Sequence, residues 1–262
     1  MGAIKFRCMN SYQKIHHIHN DFTNRLLPFD KENQFPEDKL LDELPSETTE
    51  QRGFLLTFFC SLDYNRDAFN LAQNIVEFYT REDDAPYSFS AFVETYTQED
   101  LEQIFDEIGF RYPSRDARGI SHNFKLFTEN YETVENMILD VDSSATEFVD
   151  RLSDDDFLYL KGVKLAPFYT RLVSKFVKDM DGLWELNIPV DVHIRRLSKD
   201  LFEENAKEMS DDKIRETWKE VGDELNMSPA VVDGALWIIG NNWDSWGADY
   251  WKSPNSDSWI SS

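Results

Sequence analysis

The chain has 262 residues, of which 41% are hydrophobic and 20 are Phe, so it is long enough to bury a substantial core. It carries 27 Lys and Arg against 50 Asp and Glu, a formal net charge of −23. At first sight this charge argues against nucleic-acid binding, because contact with phosphates requires cations. We interpret it as an adaptation to a high-salt (halophilic) cytoplasm, with a partner-binding acidic face or an acidic tail as alternatives.

Cysteine and apolar content exclude several other classes. Two cysteines, Cys8 and Cys60, are too few for a disulfide framework or a four-thiolate cluster. The sequence starts without an apolar signal segment, and no window contains the roughly 18 apolar residues of a membrane span. We therefore expect a soluble, cytoplasmic monomer without membrane contact. The histidines at 16, 17 and 19 have no carboxylate or thiol at ligand spacing beside them, so no metal site is predicted.

The pattern along the chain predicts an all-α protein. Residues 1–50 are polar and interrupted by Pro36 and Pro45, which predicts an arm with one short helix. From Arg52 onward, apolar residues recur at helical spacing and predict about ten short helices without strands.

Several helix boundaries can be predicted from local signals. Thr97 with Asp100 indicates a capping box, and Gly109 indicates the end of that helix. Ser114 is predicted to be the N-cap of the next helix. A further short helix is predicted over residues 155–162.

The segment from Lys161 to Lys199 is basic. It contains eight Lys and Arg against four Asp and Glu, whereas the rest of the chain contains 19 against 46. This local surplus predicts a phosphate-facing surface, the alternative being a solvated helix face. Within it, LKGVK at 160–164 places Gly162 in a tight turn between two helices, where backbone N–H groups could hold a phosphate.

Asp191 is the first chemical candidate in this segment. It follows Ile188-Pro189-Val190, an extended link, and precedes a new helical pattern, so we expect it to be an N-cap. A helix N-terminus stabilises a carboxylate anion. Such an anion can stabilise a cationic sugar centre as a base leaves, or orient a water; a purely structural cap is the alternative.

Lys164 is the second chemical candidate. It begins a helix, where a cation is electrostatically disfavoured, and partial desolvation there would favour the nucleophilic neutral amine. A phosphate-contacting or merely solvated lysine is the alternative, and Lys161 is the competing nucleophile.

Three sequence blocks, in this order, resemble the helix-hairpin-helix–GPD superfamily of base-excision DNA glycosylases: IGFRYPSRDARGI at 108–120, LKGVKLA at 160–166 and PVDVHIRR at 189–196. A fourth block, VVDGALWIIG at 231–240, is similar to a helix of its archaeal members. The resemblance is closest to archaeal 8-oxoguanine glycosylases and endonuclease III-like proteins. The hairpin is two residues shorter than the usual form, and no cysteine follows the fourth block, so neither an iron–sulfur cluster nor another cofactor is predicted.

The resemblance implies a fold of two helical lobes over residues 51–262 and a glycosylase that flips a damaged base, such as an oxidised purine, out of double-stranded DNA. In that mechanism Asp191 stabilises the developing oxocarbenium ion, and Lys164, if it attacks the sugar, adds AP-lyase activity. A non-catalytic DNA-binding or scaffold relative of the same fold is the alternative, and a protein–protein module is the third possibility.

Further site candidates follow from charge and position. Those predicted to contact DNA are Lys161, Gly162, Arg171, His193, Arg195, Arg196 and Arg115. Those predicted for the base pocket are Asp63, Asn65 and Trp184. Five of the seven Trp residues lie between 237 and 259, and we interpret them as a packing plug rather than as base-stacking groups.

Overall fold

The computed structural model describes residues 11–23, 27, 35–202 and 209–252. The chain divides into two compact units, Gln34–Gly182 and a second unit made of Met1–Asn33 with Leu183–Ser262. The predicted all-α class is confirmed, because the described residues form helices and no strand. Among these helices, none combines the length and apolar character that a bilayer span requires.

Within the described residues there are fourteen α-helices. They are α1 Ser11–Thr23, α2 Pro36–Glu43, α3 Thr49–Leu62, α4 Ala68–Arg81, α5 Phe89–Thr95, α6 Gln98–Ile108, α7 Pro113–Asn130, α8 Val134–Asp140, α9 Ala145–Asp154, α10 Leu165–Phe176, α11 Val192–Leu201, α12 Asp211–Leu225, α13 Pro229–Asn241 and α14 Ala248–Lys252. We call Gln34–Gly182, with α2 to α10, the phenylalanine-rich unit. The other unit, with α1 and α11 to α14, contains all seven Trp residues and is called the tryptophan-rich unit.

Helix α3 is the centre of the phenylalanine-rich unit. Every residue from Gly53 to Leu62 is buried, because α2, α4, α7, α8 and α10 pack around it. The Phe54 ring lies 4.8 Å from that of Phe124 on α7, and the Phe58 ring lies 5.7 Å from the same ring. A helix buried on all sides has no polar face, which explains the continuous apolar run GFLLTFFCSL.

Local signals at α6 predicted its boundaries correctly. The Thr97 hydroxyl accepts a hydrogen bond from the backbone N–H of Asp100, whose carboxylate accepts from the Thr97 backbone in return. Gly109 ends the helix in the left-handed region, with φ of 94°. The prediction for α7 was wrong: the N-cap is Tyr112 and not Ser114, because Pro113 occupies the first helical position, where its missing N–H costs nothing.

The helix predicted over residues 155–162 does not form, and turns connect α9 to α10 instead. Asp156 and Tyr159 both have positive φ, 61° and 64°, which interrupts a right-handed helix. The buried side chain of Asn123 on α7 stabilises these turns: it donates to the Leu158 carbonyl and accepts from the Leu158 N–H, both at 2.8 Å. A side chain from a distant helix thus replaces the hydrogen bonds that a local helix would have made.

The tryptophan-rich unit has its own core, formed by α1 and α11 to α14. Ile15 and Ile18 of α1 are fully buried in it. The predicted arm of residues 1–50 with one short helix was therefore wrong for the described residues, since α1 and α2 are both helical and belong to different units. Two isoleucines three residues apart form an apolar stripe too narrow to stand out among polar neighbours.

The aromatic segment that follows α13 packs onto α1. Trp251 is buried beneath the Lys14 ammonium, which lies 4.0 Å from the ring centroid. The Tyr250 hydroxyl donates to the Asp21 carboxylate at 2.6 Å. These contacts agree with the interpretation as a packing plug, while Trp259, like Cys8, lies outside the described residues.

One buried carboxyl on α2 couples the stability of the phenylalanine-rich unit to pH. Burial, reinforced by the charge of the nearby Asp38, raises the pKa of Glu37 to about 7, although a backbone hydrogen bond and the charges of Lys175 and Arg171 partly oppose this shift. The folded state therefore binds this proton more tightly than the unfolded chain, whose glutamate pKa is near 4.5. The contribution of Glu37 to stability is fully present below pH 4.5 and is lost as the pH rises through 7.

Replacement of this carboxyl by an amide, Glu37→Gln, should remove the pH-dependent loss. Because one pKa unit corresponds to about 1.4 kcal/mol, we expect the free energy of unfolding of the variant, relative to wild type, to rise by about 3 kcal/mol between pH 4 and pH 9. Urea unfolding followed by far-ultraviolet circular dichroism measures it. A difference that does not change with pH would mean that folding leaves the pKa of Glu37 unchanged.

Candidate active site

The predicted site residues are distributed over both units. Trp184, Asp191, His193, Arg195 and Arg196 belong to the tryptophan-rich unit, and Asp63, Asn65, Arg115, Lys161, Gly162, Lys164 and Arg171 belong to the phenylalanine-rich unit.

Asp191 is the N-cap of α11, as predicted. Its Oδ1 accepts hydrogen bonds from the backbone N–H of His193 at 2.8 Å and of Ile194 at 2.9 Å. Two donors at the positive end of the helix dipole hold the carboxylate in one orientation. Within the part of the chain that the structure describes, Oδ2 accepts no hydrogen bond, so one oxygen is fixed and the other is available.

The polypeptide before Asp191 anchors it from the other side. Ile188, Pro189 and Val190 form the predicted extended link and are all buried. Val192, directly after Asp191, is 70% exposed. The carboxylate thus lies where the chain passes from the core to the surface, half-buried itself.

The first turn of α11 packs against the end of α13. The His193 ring lies edge-on to the Trp237 ring, with centroids 6.2 Å apart. Arg196 donates to the Gly240 carbonyl at 3.3 Å, and its guanidinium lies 5.3 Å from the Trp243 ring centroid. His193 and Arg196 therefore have intramolecular contacts in addition to any role in binding DNA.

Several cations of the basic segment form ion pairs within the described residues. The pairs are Lys161 with Asp156, Lys175 with Asp38 at 3.0 Å, Lys178 with Glu135 at 3.4 Å, and Arg195 with Asp211. In a chain with 50 acidic residues most cations have an acid within reach. The charge surplus counted along the sequence is therefore much larger than the positive charge left at the surface.

The predicted hairpin between α9 and α10 is a Gly turn. Gly162 has φ of 104°, which residues with a Cβ rarely adopt, and its carbonyl accepts the first hydrogen bond of α10, from the Ala166 N–H at 3.1 Å. Residues 161 to 164 are all exposed, whereas Leu165, Ala166 and Pro167 in the first turn of α10 are buried. The Ala166 N–H is bonded to Gly162 and Pro167 has no N–H, so the predicted phosphate contact depends on the N–H groups of the exposed turn before the helix.

Lys164 is the residue immediately before α10. It is exposed and has neither an ion pair nor a hydrogen bond within the described residues. The expected partial desolvation of its ammonium is thus not seen among the described residues, none of which covers it. The amine is, however, unoccupied and available to a substrate.

Arg115 lies among tyrosine rings rather than projecting alone into solvent. Its guanidinium is 4.1 Å from the ring centroids of both Tyr64 and Tyr159, and 5.7 Å from that of Tyr112. Next to it, Arg66 and Asp116 form a buried two-bond ion pair, with distances of 2.7 and 2.8 Å. The sequence did not indicate this cluster, because its members come from α7 and from three separate connections.

The base-pocket candidates lie in irregular segments. Asp63 is the C-cap of α3, and Asn65 follows it with φ of 50° and its carbonyl bound by Arg111. Trp184 lies in a short 3₁₀ turn, Leu183–Glu185, and is 63% exposed. An exposed Trp can stack on a base. Because most of its surface is exposed, Trp184 contributes little to the packing of its own unit.

Comparison with solved structures relates this arrangement to known proteins. The 8-oxoguanine DNA glycosylase of Thermotoga maritima superimposes with a TM-score of 0.53 and 22% identity, over 87% of this chain and 94% of that one. The chain has the fold of these glycosylases. The Methanocaldococcus jannaschii 8-oxoguanine glycosylase/lyase, in complex with a 15mer DNA containing 8-oxoguanine, shares this glycosylase fold with a TM-score of 0.51 and 17% identity, over 88% and 97% of the two chains. Neither a protein-family model nor a curated protein matches the sequence.

Two substitutions distinguish the role of Asp191 as the N-cap of α11 from the role of its charge. Asp191→Ala should lower the free energy of unfolding by about 1 kcal/mol, whereas Asp191→Asn should lower it by only a few tenths, because Asn is an equally good N-cap. Tryptophan fluorescence reports the unfolding of this unit alone, since all seven Trp belong to it. Ser210→Ala, which removes the N-cap of α12 in the same unit, is the matched control. Equal losses in Asp191→Ala and Asp191→Asn would show that the charge, not the hydrogen bonds, stabilises the helix.

Proposed function

We propose that this protein is a DNA glycosylase of base-excision repair that removes an oxidised purine, with 8-oxoguanine as the first substrate to test. The observation that carries the proposal is the glycosylase fold, which extends over nearly nine-tenths of the chain. A fold alone does not determine a reaction. Support at the level of residues comes from Asp191, a carboxylate held by two backbone donors with its second oxygen unoccupied within the described residues.

The proposed chemistry begins with extrusion of the damaged nucleotide from the duplex. As the bond between C1′ and the base breaks, positive charge develops on the sugar. The fixed Asp191 carboxylate stabilises this charge electrostatically, and it needs no reorganisation because α11 already orients it. The departing base takes up a proton, and a water or an amine completes the displacement at C1′.

In the lyase branch, the amine is Lys164. Its neutral Nζ forms a bond to C1′ as the bond to the base breaks, and opening of the sugar ring gives a Schiff base. Loss of a proton from C2′ then breaks the C3′–O bond and cleaves the strand. Lys164 suits this role because it is exposed and unpaired within the described residues. Lys161 suits it less, because Asp156 holds its ammonium.

Base release tests the proposed reaction directly. Wild-type protein in excess over a duplex with a single 8-oxoguanine opposite cytosine should release the free base, and duplexes with uracil or alkylated purines give its specificity. Asp191→Asn should slow release by about 10²–10³-fold, the loss usual for a stabilising group of this kind. Asp200→Asn, which removes an exposed carboxylate from the same helix, should leave the rate unchanged.

The absence of base release from every lesion would reject the glycosylase. If the protein nevertheless bound duplex DNA with equal affinity before and after Asp191→Asn, it would instead be a non-catalytic DNA-binding relative of this fold.

Borohydride trapping tests the lyase branch separately. The reagent reduces a Schiff base to a stable amine, so the wild type should become covalently attached to the lesion strand. Lys164→Gln should abolish the adduct while Asp191-dependent base release persists at a reduced rate, and Lys125→Gln, at an exposed lysine on α7, should trap like the wild type. Undiminished trapping by Lys164→Gln would assign the nucleophile to another amine, with Lys161→Gln as the next variant.

A further inference from the structure

The contact between α11 and α13 leaves no room for a side chain at position 240. A Cβ placed on Gly240 would lie 2.4 Å from the Cβ of His193, 2.8 Å from its Cγ and 2.9 Å from its Nδ1. A Cβ essentially never lies closer than 3.0 Å to such atoms. The His193 side chain therefore lies directly against the backbone of Gly240, and a side chain at position 240 would displace it.

The same contact is reinforced on both sides by residues at helical spacing. His193 and Arg196 lie three residues apart on α11, and they meet Trp237, Gly240 and Trp243, which are also three apart. The Arg196 side chain donates to the carbonyl of Gly240, so two side chains of α11, His193 and Arg196, contact this residue. The buried Nδ1 of His193 has no hydrogen-bond partner within the described residues. Packing against Gly240 therefore holds this edge of the ring in place.

His193 links this contact to the candidate carboxylate. Its side chain is seated on Gly240, and its backbone N–H is the 2.8 Å donor to Oδ1 of Asp191. Any displacement of His193 away from α13 moves that N–H and the carboxylate it holds. A misplacement of about 1 Å at a reacting group can cost about 10²-fold in rate.

We propose that Gly240 is a positioning residue. Because it has no side chain, His193 lies against the backbone of α13, and this contact determines the position of the α11 N-terminus and hence of the Asp191 carboxylate. The catalytic part of this inference rests on the proposed function, whereas the structural part does not. Gly240 touches no reacting atom and acts only through His193.

The variant Gly240→Ala tests the inference by crowding His193. We expect single-turnover release of 8-oxoguanine to fall at least tenfold, with an affinity for the lesion duplex within threefold of wild type. The matched control is Gly222→Ala in the same unit, which brings a Cβ to 2.6 Å from the Met227 carbonyl oxygen and 3.0 Å from Pro229, so that none of the three nearest atoms belongs to α11. Compared at temperatures equally far below their melting points, Gly222→Ala should retain the wild-type rate. Equal rate losses in the two variants, or no loss in Gly240→Ala, would overturn the proposal.

A second substitution distinguishes positioning from general destabilisation. The three atoms nearest to the new Cβ all belong to the His193 side chain, so His193→Gly removes these close contacts. The double variant Gly240→Ala/His193→Gly should release base faster than Gly240→Ala alone, whereas two independent defects would multiply. If Gly240→Ala does not fold, recovery of both folding and base release in the double variant supports the proposal, and a folded but inactive double variant contradicts it.

Amide hydrogen exchange tests the structural part without any activity. In the DNA-free protein, the N–H groups of His193 and Ile194 are protected by Oδ1 of Asp191. Their exchange should accelerate at least tenfold in Gly240→Ala and stay at the wild-type rate in Gly222→Ala. If the wild type released no base, the proposed function would fail, yet this measurement would still decide whether Gly240 holds the cap; unchanged exchange in Gly240→Ala would overturn the inference.

Discussion

Two backbone N–H groups at the start of α11 hold the Asp191 carboxylate, and the features around them act to place that helix end. The extended link before Asp191 is anchored by three buried residues, and the first turn after it is seated on Gly240 of α13. Deeper in the unit, the buried Trp218 of α12 donates to Ser198 of α11 at 2.8 Å. A carboxylate fixed in this way can stabilise positive charge without reorganisation, which makes the cap both a structural element and a candidate catalytic group.

The net charge of −23 poses a physical problem for a protein proposed to act on DNA. Ion pairing makes the problem larger at the surface, because Lys161 and Arg195, both predicted to contact phosphates, are bound to Asp156 and Asp211. The exposed turn at Gly162 was predicted to contact a phosphate through backbone N–H groups, which needs no cation. Salt would also reduce the repulsion between acidic residues and phosphates, because the Debye length falls to about 3 Å at about 1 M.

The sequence predicted the elements that depend on local chemistry and missed those that depend on distant contacts. The α6 capping box, the Gly109 stop and the N-cap at Asp191 follow from hydrogen bonds within a few residues, and all three form. The helix expected at 155–162 is replaced by turns because Asn123, more than 30 residues earlier, binds Leu158. The tyrosine rings around Arg115 and the close approach at Gly240 were equally invisible, since each depends on packing between separate elements. A few spaced motifs were enough to predict the fold, whereas the contacts of each site residue could be seen only in the structure.

The central claim is that Asp191 acts at the sugar of a damaged nucleotide. The most direct measurement is a crystal structure of the Asp191→Asn variant bound to a duplex containing 8-oxoguanine, in which slow base release preserves the substrate. We expect an extruded lesion nucleotide whose C1′ lies within about 3.5 Å of the residue 191 side chain, the distance of a group poised to act. A lesion that remains stacked in the duplex, or one extruded to a place away from α11, would contradict it.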